Sequence, residues 1–210
     1  MTICRQVLLV TAAAAFLLGG PAAAQEVRAE EHILPNGMKL LLVQRPDEPS
    51  VSAGWVAKVG SVNERVGITG ISHLFEHMMF KGTTTLGSKD PGRDLEIIAE
   101  QEKLRDGMRA EESKMRAAWR RGEIDDLSKP ESRTARYKEL EAKFDVLVKE
   151  QRDLLVKNEF DRIYTKNGAS GMNAFTTNDL TAYFITVPKN KLELWFWMES
   201  DRLKDPVFRE

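Results

Sequence analysis

Apolar residues in the first part of the chain occur in short runs separated by turn-forming residues. One run ends at Leu34 and is followed by Pro35-Asn36-Gly37, a second covers 38–43, and a third covers 51–59. Runs of this length between Pro, Asn and Gly are typical of strands joined by tight turns. The pattern predicts three strands between residues 27 and 59.

The middle of the chain has the longer spacing of helices. Positions three and four apart form a heptad seam, and a weaker stripe precedes it. Gly122 and Ser128-Lys129-Pro130 separate the two halves, which predicts a helical hairpin of coiled-coil character inserted at about 88–166. The hairpin could be a docking or gating arm, or an insertion that packs on itself and on the domain surface. Its charge-rich faces favour the second interpretation. The seam comprises Tyr137, Leu140, Phe144, Leu147, Gln151, Leu154 and Asn158, and the stripe comprises Ile97, Leu104, Met108 and Met115.

The remaining elements are a short helix in the first half and a strand–strand–helix unit at the end. Gly70 and Gly82 flank a helix predicted over 71–81. Strands over 172–176 and 181–187 precede a helix over 189–203. Together the elements predict an α+β fold, a largely antiparallel sheet with helices packed on one face.

Composition and charge limit the class of protein. The chain has 210 residues, with 42% hydrophobic and 30% charged residues, a mean hydropathy of −0.38 and a net charge of −1. These values are typical of one globular domain. A nucleic-acid partner is not expected, because such proteins carry a basic excess.

The first 24 residues have a separate character. Arg5 precedes an apolar run over 7–18, and Ala22-Ala23-Ala24 forms a small-residue cleavage site. This pattern predicts a signal peptide over 1–24 and a periplasmic or secreted bacterial protein. A membrane anchor is the alternative, but the run is shorter than the roughly 20 residues of a bilayer span. Because Cys4 would leave with the signal, the mature chain would have no disulfide. Removal of the apolar run would also leave it without a stable membrane anchor.

The chemistry-bearing residues lie in the short helix. His73, Glu76 and His77 share one helix face, because their spacing is i, i+3 and i+4. Apolar neighbours surround them, so we expect the helix to be buried and its polar groups to need compensation. Zinc would provide it, with two imidazole ligands and a carboxylate beside the bound water. A satisfied polar cluster in the core is the alternative, but H-x-x-E-H is a specific motif.

The segments around this motif resemble the pitrilysin/insulinase family of zinc metallopeptidases, which includes mitochondrial processing peptidase. The resemblance runs from about residue 30 to the end, and the hairpin is longer than in the processing-peptidase branch. It implies a processing-peptidase-like domain over 25–210. The resembling segments are Gly60-Ser-Val-Asn-Glu64, Gly67, Gly70, 73–83, Asn173-Ala-Phe-Thr176 with Tyr183, and 195–208, the last similar to a bacterial branch.

The resemblance implies a role for each matching residue. His73 and His77 would be zinc ligands, and Glu76 would be the general base. Asn173 and Ala174 would lie on a sheet edge that holds the substrate backbone by strand addition. The implied activity is hydrolysis of peptide bonds in peptides or unfolded proteins. A second homologous domain or subunit would complete the site.

The third zinc ligand of the family, a Glu on a later helix, has no clear counterpart. Its expected position lies on the order of a dozen residues beyond Glu210, although Glu193, Glu199 and Glu210 are candidates. Glu193 and Glu199 fit better as surface or helix-capping charges. The chain is therefore interpreted as an N-terminal fragment, incomplete at its C-terminus. The alternative function is a non-catalytic binding subunit or a scaffold on the same fold. Zinc binding would distinguish these alternatives from the peptidase.

Overall fold

The computed structural model describes residues 27–209, so the predicted signal peptide and Glu210 lie outside the described residues. The chain divides after Asp47 into two compact units. The strands are β1 Glu30–Ile33, β2 Lys39–Leu42, β3 Ser50–Ala57, β4 Ser170–Thr176 and β5 Thr181–Pro188. The helices are α1 Ile71–Met78, α2 Pro91–Arg120, α3 Ala135–Leu154, α4 Glu159–Lys166 and α5 Leu192–Lys204.

The first unit contains the predicted tight turn. Strands β1 and β2 pair antiparallel, with Ile33 opposite Lys39. Gly37 adopts φ 84°, a conformation that glycine reaches without steric cost. The side chain of Asn36 accepts a hydrogen bond from the backbone N–H of Met38 at 3.0 Å. The Pro-Asn-Gly signal therefore marks a real hairpin.

The second unit is built on a three-stranded antiparallel sheet in the order β3-β5-β4. The three strands predicted for this unit are confirmed, with ends shifted by one or two residues. Along β5 the residues alternate, because successive side chains point to opposite faces. Tyr183, Ile185 and Val187 are buried, whereas Phe184 is exposed.

Helices α4 and α5 cover the buried face of this sheet. Phe160 and Tyr164 of α4 and Trp195 and Met198 of α5 form one cluster with Ile185 and Val187 of β5. The opposite face leaves Val56, Phe175 and Phe184 exposed among the described residues. The predicted α+β fold with helices on one face is confirmed.

Helices α2 and α3 form the predicted hairpin. Asp90 and Thr134 cap their starts by accepting hydrogen bonds from the backbone N–H groups of Arg93 and Tyr137. The heptad seam ends at Leu154, so its extension to Asn158 is wrong. Asn158 instead has φ 53° and immediately precedes α4. Helix α4, inside the range of 88–166 predicted for the insertion, packs in the sheet core. In the described part of the chain, no helix is both long enough and apolar enough to cross a membrane.

A buried polar network ties the base of this hairpin to the end of the described chain. The guanidinium of Arg209 donates to Asp94 of α2 at 2.6 Å, and both side chains are almost wholly buried. Asp94 also accepts from Gln151 of α3 at 3.0 Å, and Gln151 accepts from Gln101 at 3.1 Å. The buried charge of Asp94 is thus paired and hydrogen-bonded, as a charge in a protein interior must be.

Replacing Asp94 with Asn should destabilise the protein, because Arg209 would keep its buried charge without an anionic partner. We expect a loss of about 3–5 kcal/mol in the free energy of unfolding, measured by urea denaturation. Asp106→Asn is the control, since Asp106 pairs with Arg109 at the surface, where the side chains are 74% and 60% exposed. That control should cost at most about 1 kcal/mol. Equal stability of the two variants would contradict the importance of the buried pair.

Candidate metal centre

The start of helix α1 is held by a side chain from the preceding loop. The Glu64 carboxylate accepts hydrogen bonds from the backbone N–H groups of Gly70 at 2.7 Å and Ser72 at 2.9 Å. These two donors have no partner within the helix, so Glu64 satisfies its first turn from outside. The same hydrogen bonds, that from Gly70 first, hold the pKa of Glu64 below its usual range.

The end of helix α1 differs from the prediction. The helix was expected over 71–81 with Gly82 as its stop, but it ends at Met78. Beyond that point Phe80 and Lys81 make tighter bonds, to the carbonyls three residues earlier. Gly82 lies in the following loop with φ 114°, and its carbonyl accepts from the N–H of Val207 at 3.1 Å.

Helix α1 is not buried on all sides, which corrects a second expectation. Ser72 and Glu76 are its buried residues, whereas both histidines lie on the exposed side. Leu74 and Phe75 are 54% and 46% exposed. The cost of burying polar groups therefore applies to Glu76 but not to the imidazoles. An apolar sequence shows that a helix can pack against other residues. It does not show which sides of the helix the described residues cover.

The two imidazole rings face each other on the exposed side. Nε2 of His73 and Nε2 of His77 are 3.2 Å apart. Two nitrogens bound to one tetrahedral zinc at 2.0–2.1 Å would be about 3.3–3.4 Å apart. A single N–H···N hydrogen bond fits the same separation. The separation therefore fits two imidazoles on one metal ion as well as a direct hydrogen bond between the rings.

The buried residue of the motif is anchored to the sheet. Oε2 of Glu76 accepts a hydrogen bond from the hydroxyl of Thr176 at 2.5 Å. Thr176 is the last residue of β4, an edge strand of the three-stranded sheet. This contact joins residues 100 positions apart in the chain. The sequence showed Thr176 inside a motif but gave no sign of its contact with Glu76.

A third metal ligand is not found within residues 27–209. No group of three or more His, Cys, Asp and Glu side chains in this range could hold a metal ion. Glu199 is committed elsewhere, because it accepts hydrogen bonds from Trp55 and Tyr164 and pairs with Arg202. Glu193 is an exposed charge in the first turn of α5. The donor set present is two imidazoles, the chemistry that zinc accepts for part of its coordination.

Arg202 fixes helix α5 beneath the sheet next to this site. Its guanidinium lies 4.8–5.5 Å from the centroids of four aromatic rings, a cation–π arrangement. One of these rings belongs to Tyr183, whose pKa burial raises to about 12, with Glu76 and Glu199 acting in the same direction against Arg202. Tyr183 therefore stays neutral near pH 7. The rings are those of Trp55, Phe80, Phe160 and Tyr183.

Asn173 and Ala174 lie on strand β4, three and two residues before Thr176. Both pair with β5 on one side only, since β4 is an edge strand of its sheet. The side chain of Asn173 accepts a hydrogen bond from the backbone N–H of Ala174 at 2.9 Å. The structure thus brings the predicted substrate residues onto the same strand as the contact that holds Glu76.

Known proteins match the segment of the chain that contains helix α1. Residues 39–103 match the model of the insulinase family, peptidase family M16. This segment is therefore similar to the insulinase family. An uncharacterized zinc protease of Rickettsia bellii (strain RML369-C) is 42% identical over 65 residues, 31% of this chain and 16% of that protein. A second uncharacterized zinc protease, from Bacillus subtilis (strain 168), is 38% identical over 66 residues, again 31% and 16%.

The resemblance to the insulinase family predicted from the sequence is confirmed, and both of these relatives are named zinc proteases. The fold agrees as well. The crystal structure of a protease from Helicobacter pylori superposes with a TM-score of 0.52 at 19% identity, over 88% of this chain and 28% of that one. The segment that matches the two zinc proteases spans about a sixth of the length of each of them.

The insulinase-family segment is also attached to the sheet through Gly60. The backbone N–H groups of Ser61 and Val62 donate to the carbonyls of Thr177 and Asn178 at 3.2 and 2.8 Å. A Cβ on Gly60 would lie 2.3 Å from the carbonyl oxygen of Thr177. Only glycine permits this approach between the loop before α1 and the β4–β5 turn.

Gly60→Ala should destabilise the protein, since one of the two loops must move away. We expect a loss of about 1–3 kcal/mol in the free energy of unfolding, measured by chemical denaturation. Gly92→Ala is the matched control, because Gly92 lies in the first turn of α2 and its nearest atom would be 3.5 Å from the new Cβ. The control should be neutral or stabilising. A Gly60 variant as stable as the control would exclude the tight contact.

The decrease in stability at low pH should include the loss of the contribution of Glu64. Because its pKa is lowered in the folded state, its contribution is complete above the unfolded pKa of about 4.3 and disappears as pH falls through the folded value. We expect wild type to exceed Glu64→Gln in stability at pH 7. The difference should begin to shrink below the unfolded pKa of about 4.3 and vanish below the folded pKa, where both side chains are neutral. A pH-independent difference in urea midpoints would contradict this role.

Proposed function

We propose that the chain is part of a zinc-dependent metalloendopeptidase that hydrolyses peptide bonds of peptides or unfolded proteins. The observation that carries the proposal is the 3.2 Å separation of the His73 and His77 nitrogens, one residue from the buried Glu76. The same helix lies in the segment that matches zinc proteases of the insulinase family. Geometry and family membership thus support one chemistry.

In this proposal His73 and His77 are metal ligands and Glu76 is the general base. Zinc bound there would supply a Lewis acid and lower the pKa of water toward 7. Glu76 would take a proton from the attacking water and later deliver it to the leaving amine. Its carboxylate is suited to this, because Oε2 is hydrogen-bonded to Thr176 whereas Oε1 accepts no hydrogen bond within the described residues.

We further propose that strand β4 binds the substrate. A free sheet edge can accept an extended peptide as an additional strand, with backbone hydrogen bonds that do not depend on side-chain identity. Asn173 and Ala174 lie on such an edge, close in sequence to the residue that contacts Glu76. Extended substrates follow from this geometry, because a folded polypeptide rarely offers an unpaired strand.

The proposal also requires groups outside residues 27–209. Catalytic zinc sites use three protein ligands, and the described residues offer two. We propose that a third carboxylate and a second homologous domain or subunit complete the site. The predicted signal sequence supports a periplasmic or secreted location for the assembled peptidase.

A second candidate function is a non-catalytic binding subunit or scaffold on the same fold. The absence of a third ligand among the described residues favours it. The paired histidines beside a buried carboxylate favour the peptidase, since a scaffold has no need of them. Zinc affinity separates the two, because a scaffold should bind no zinc through this helix.

Glu76→Gln should abolish peptide hydrolysis while zinc stays bound. The amide keeps an acceptor for Thr176 but cannot take a proton, so we expect kcat to fall by about 10²–10⁴-fold. His73→Ala should lose both zinc and activity, whereas His32→Ala, an exposed histidine on β1, should lose neither. Zinc content is measured by elemental mass spectrometry, and activity is measured as hydrolysis of a quenched fluorescent peptide. Both measurements use the full-length protein as the cell produces it.

Full activity of Glu76→Gln would exclude Glu76 as the base. Unchanged zinc in His73→Ala would exclude the histidine pair as ligands. A wild-type protein that neither binds zinc through this helix nor hydrolyses the peptide would favour the non-catalytic binding subunit or scaffold.

A further inference from the structure

The contact between Thr176 and Glu76 joins the histidine helix to the sheet edge. The hydroxyl of Thr176 lies 2.5 Å from Oε2 of Glu76, and Glu76 is 6% exposed. It joins a buried carboxylate to a neutral hydroxyl, so it constrains a group that would otherwise choose among several rotamers.

The chemistry of the two partners sets the direction of this hydrogen bond. A carboxylate accepts, so the hydroxyl of Thr176 donates to Oε2 of Glu76. The buried Thr181 lies beside this contact, with its hydroxyl 2.9 Å from the carbonyl oxygen of Val59 and 3.3 Å from the hydroxyl of Thr176. The proton of Thr181 can go to either oxygen, and neither contact needs the proton of Thr176.

We infer that Thr176 is a positioning residue for Glu76, an inference that rests on the proposed function. Its hydroxyl holds Oε2 and selects one orientation of the carboxylate. Oε1 is then left to exchange a proton with the reacting groups.

The location of Thr176 links this role to substrate binding. Ala174 and Thr176 lie on the same face of β4, because they are two residues apart on one strand. A peptide added to the edge of β4 would pair with the backbone that carries Thr176. The strand that we propose to hold the substrate is therefore the strand that holds the base. A correctly paired peptide would stabilise the orientation of Glu76.

Thr176→Val tests the inference, because it removes the hydroxyl and keeps the shape. We expect kcat to fall by about tenfold or more, since a misdirected catalytic group is costly, while KM stays within about twofold. Thr176→Ser should restore at least about a third of the wild-type kcat. Thr186→Val is the matched control, since it removes a hydroxyl that contacts Ser52 on the same sheet. Its kcat should be unchanged.

A second readout does not depend on activity. In protein labelled with ¹³C at the glutamate carboxyl carbons, the resonance assigned to Glu76 by Glu76→Gln should shift in Thr176→Val and remain in place in Thr176→Ser and Thr186→Val. Zinc content should be equal in all of these variants. Wild-type kcat and an unmoved Glu76 resonance in Thr176→Val would overturn the positioning role.

Failure of the proposed function has a different signature. If Glu76→Gln keeps full hydrolysis, Glu76 is not the base and the proposed function fails, whatever Thr176→Val does. If Glu76→Gln is inactive and Thr176→Val is as active as wild type, the proposed function stands and the positioning role is rejected. Equal losses in Thr176→Val and Thr176→Ser would also reject it, because they would show a packing effect rather than a hydroxyl effect.

Discussion

The buried ion pair between Arg209 and Asp94 connects segments that are far apart in the chain. Besides Asp94, the guanidinium of Arg209 donates to the carbonyls of Lys81 and Thr83, at 3.1 and 2.8 Å. Through Gln151 the same network reaches the second helix of the hairpin. One side chain therefore holds the loop after the histidine helix, the base of the hairpin and the final described segment together. A buried arginine is tolerated here because every one of these contacts is polar.

The histidine helix is short and has few buried residues, so it depends on supports outside itself. Glu64 satisfies the N–H groups at its start, Thr176 holds its one buried carboxylate, and Arg209 fixes the loop that follows its end. An isolated helix of eight residues would not be stable in water. The two histidines can remain exposed and still keep a fixed separation because the helix is held at three places.

Local chemistry was predictable from the sequence, but contacts between distant segments were not. The hairpin turn at Gly37 and the spacing of His73, Glu76 and His77 both act within a few residues. Periodicity showed that helix α1 has apolar residues, yet it could not show which side the described residues cover. The predicted helix α1 was too long, because the tighter turn after Met78 does not change the pattern of apolar positions.

The distances along the chain between partners have a consequence for biosynthesis. Glu76 meets a residue 100 positions later, and the loop after its helix meets a residue more than 120 positions later. A nascent chain that has presented both histidines still lacks the sheet edge and the arginine that order them. Contacts of such long range form late in folding. This region therefore emerges from the ribosome before its site can assemble. The geometry of the site can form only after the last of these partners has also emerged.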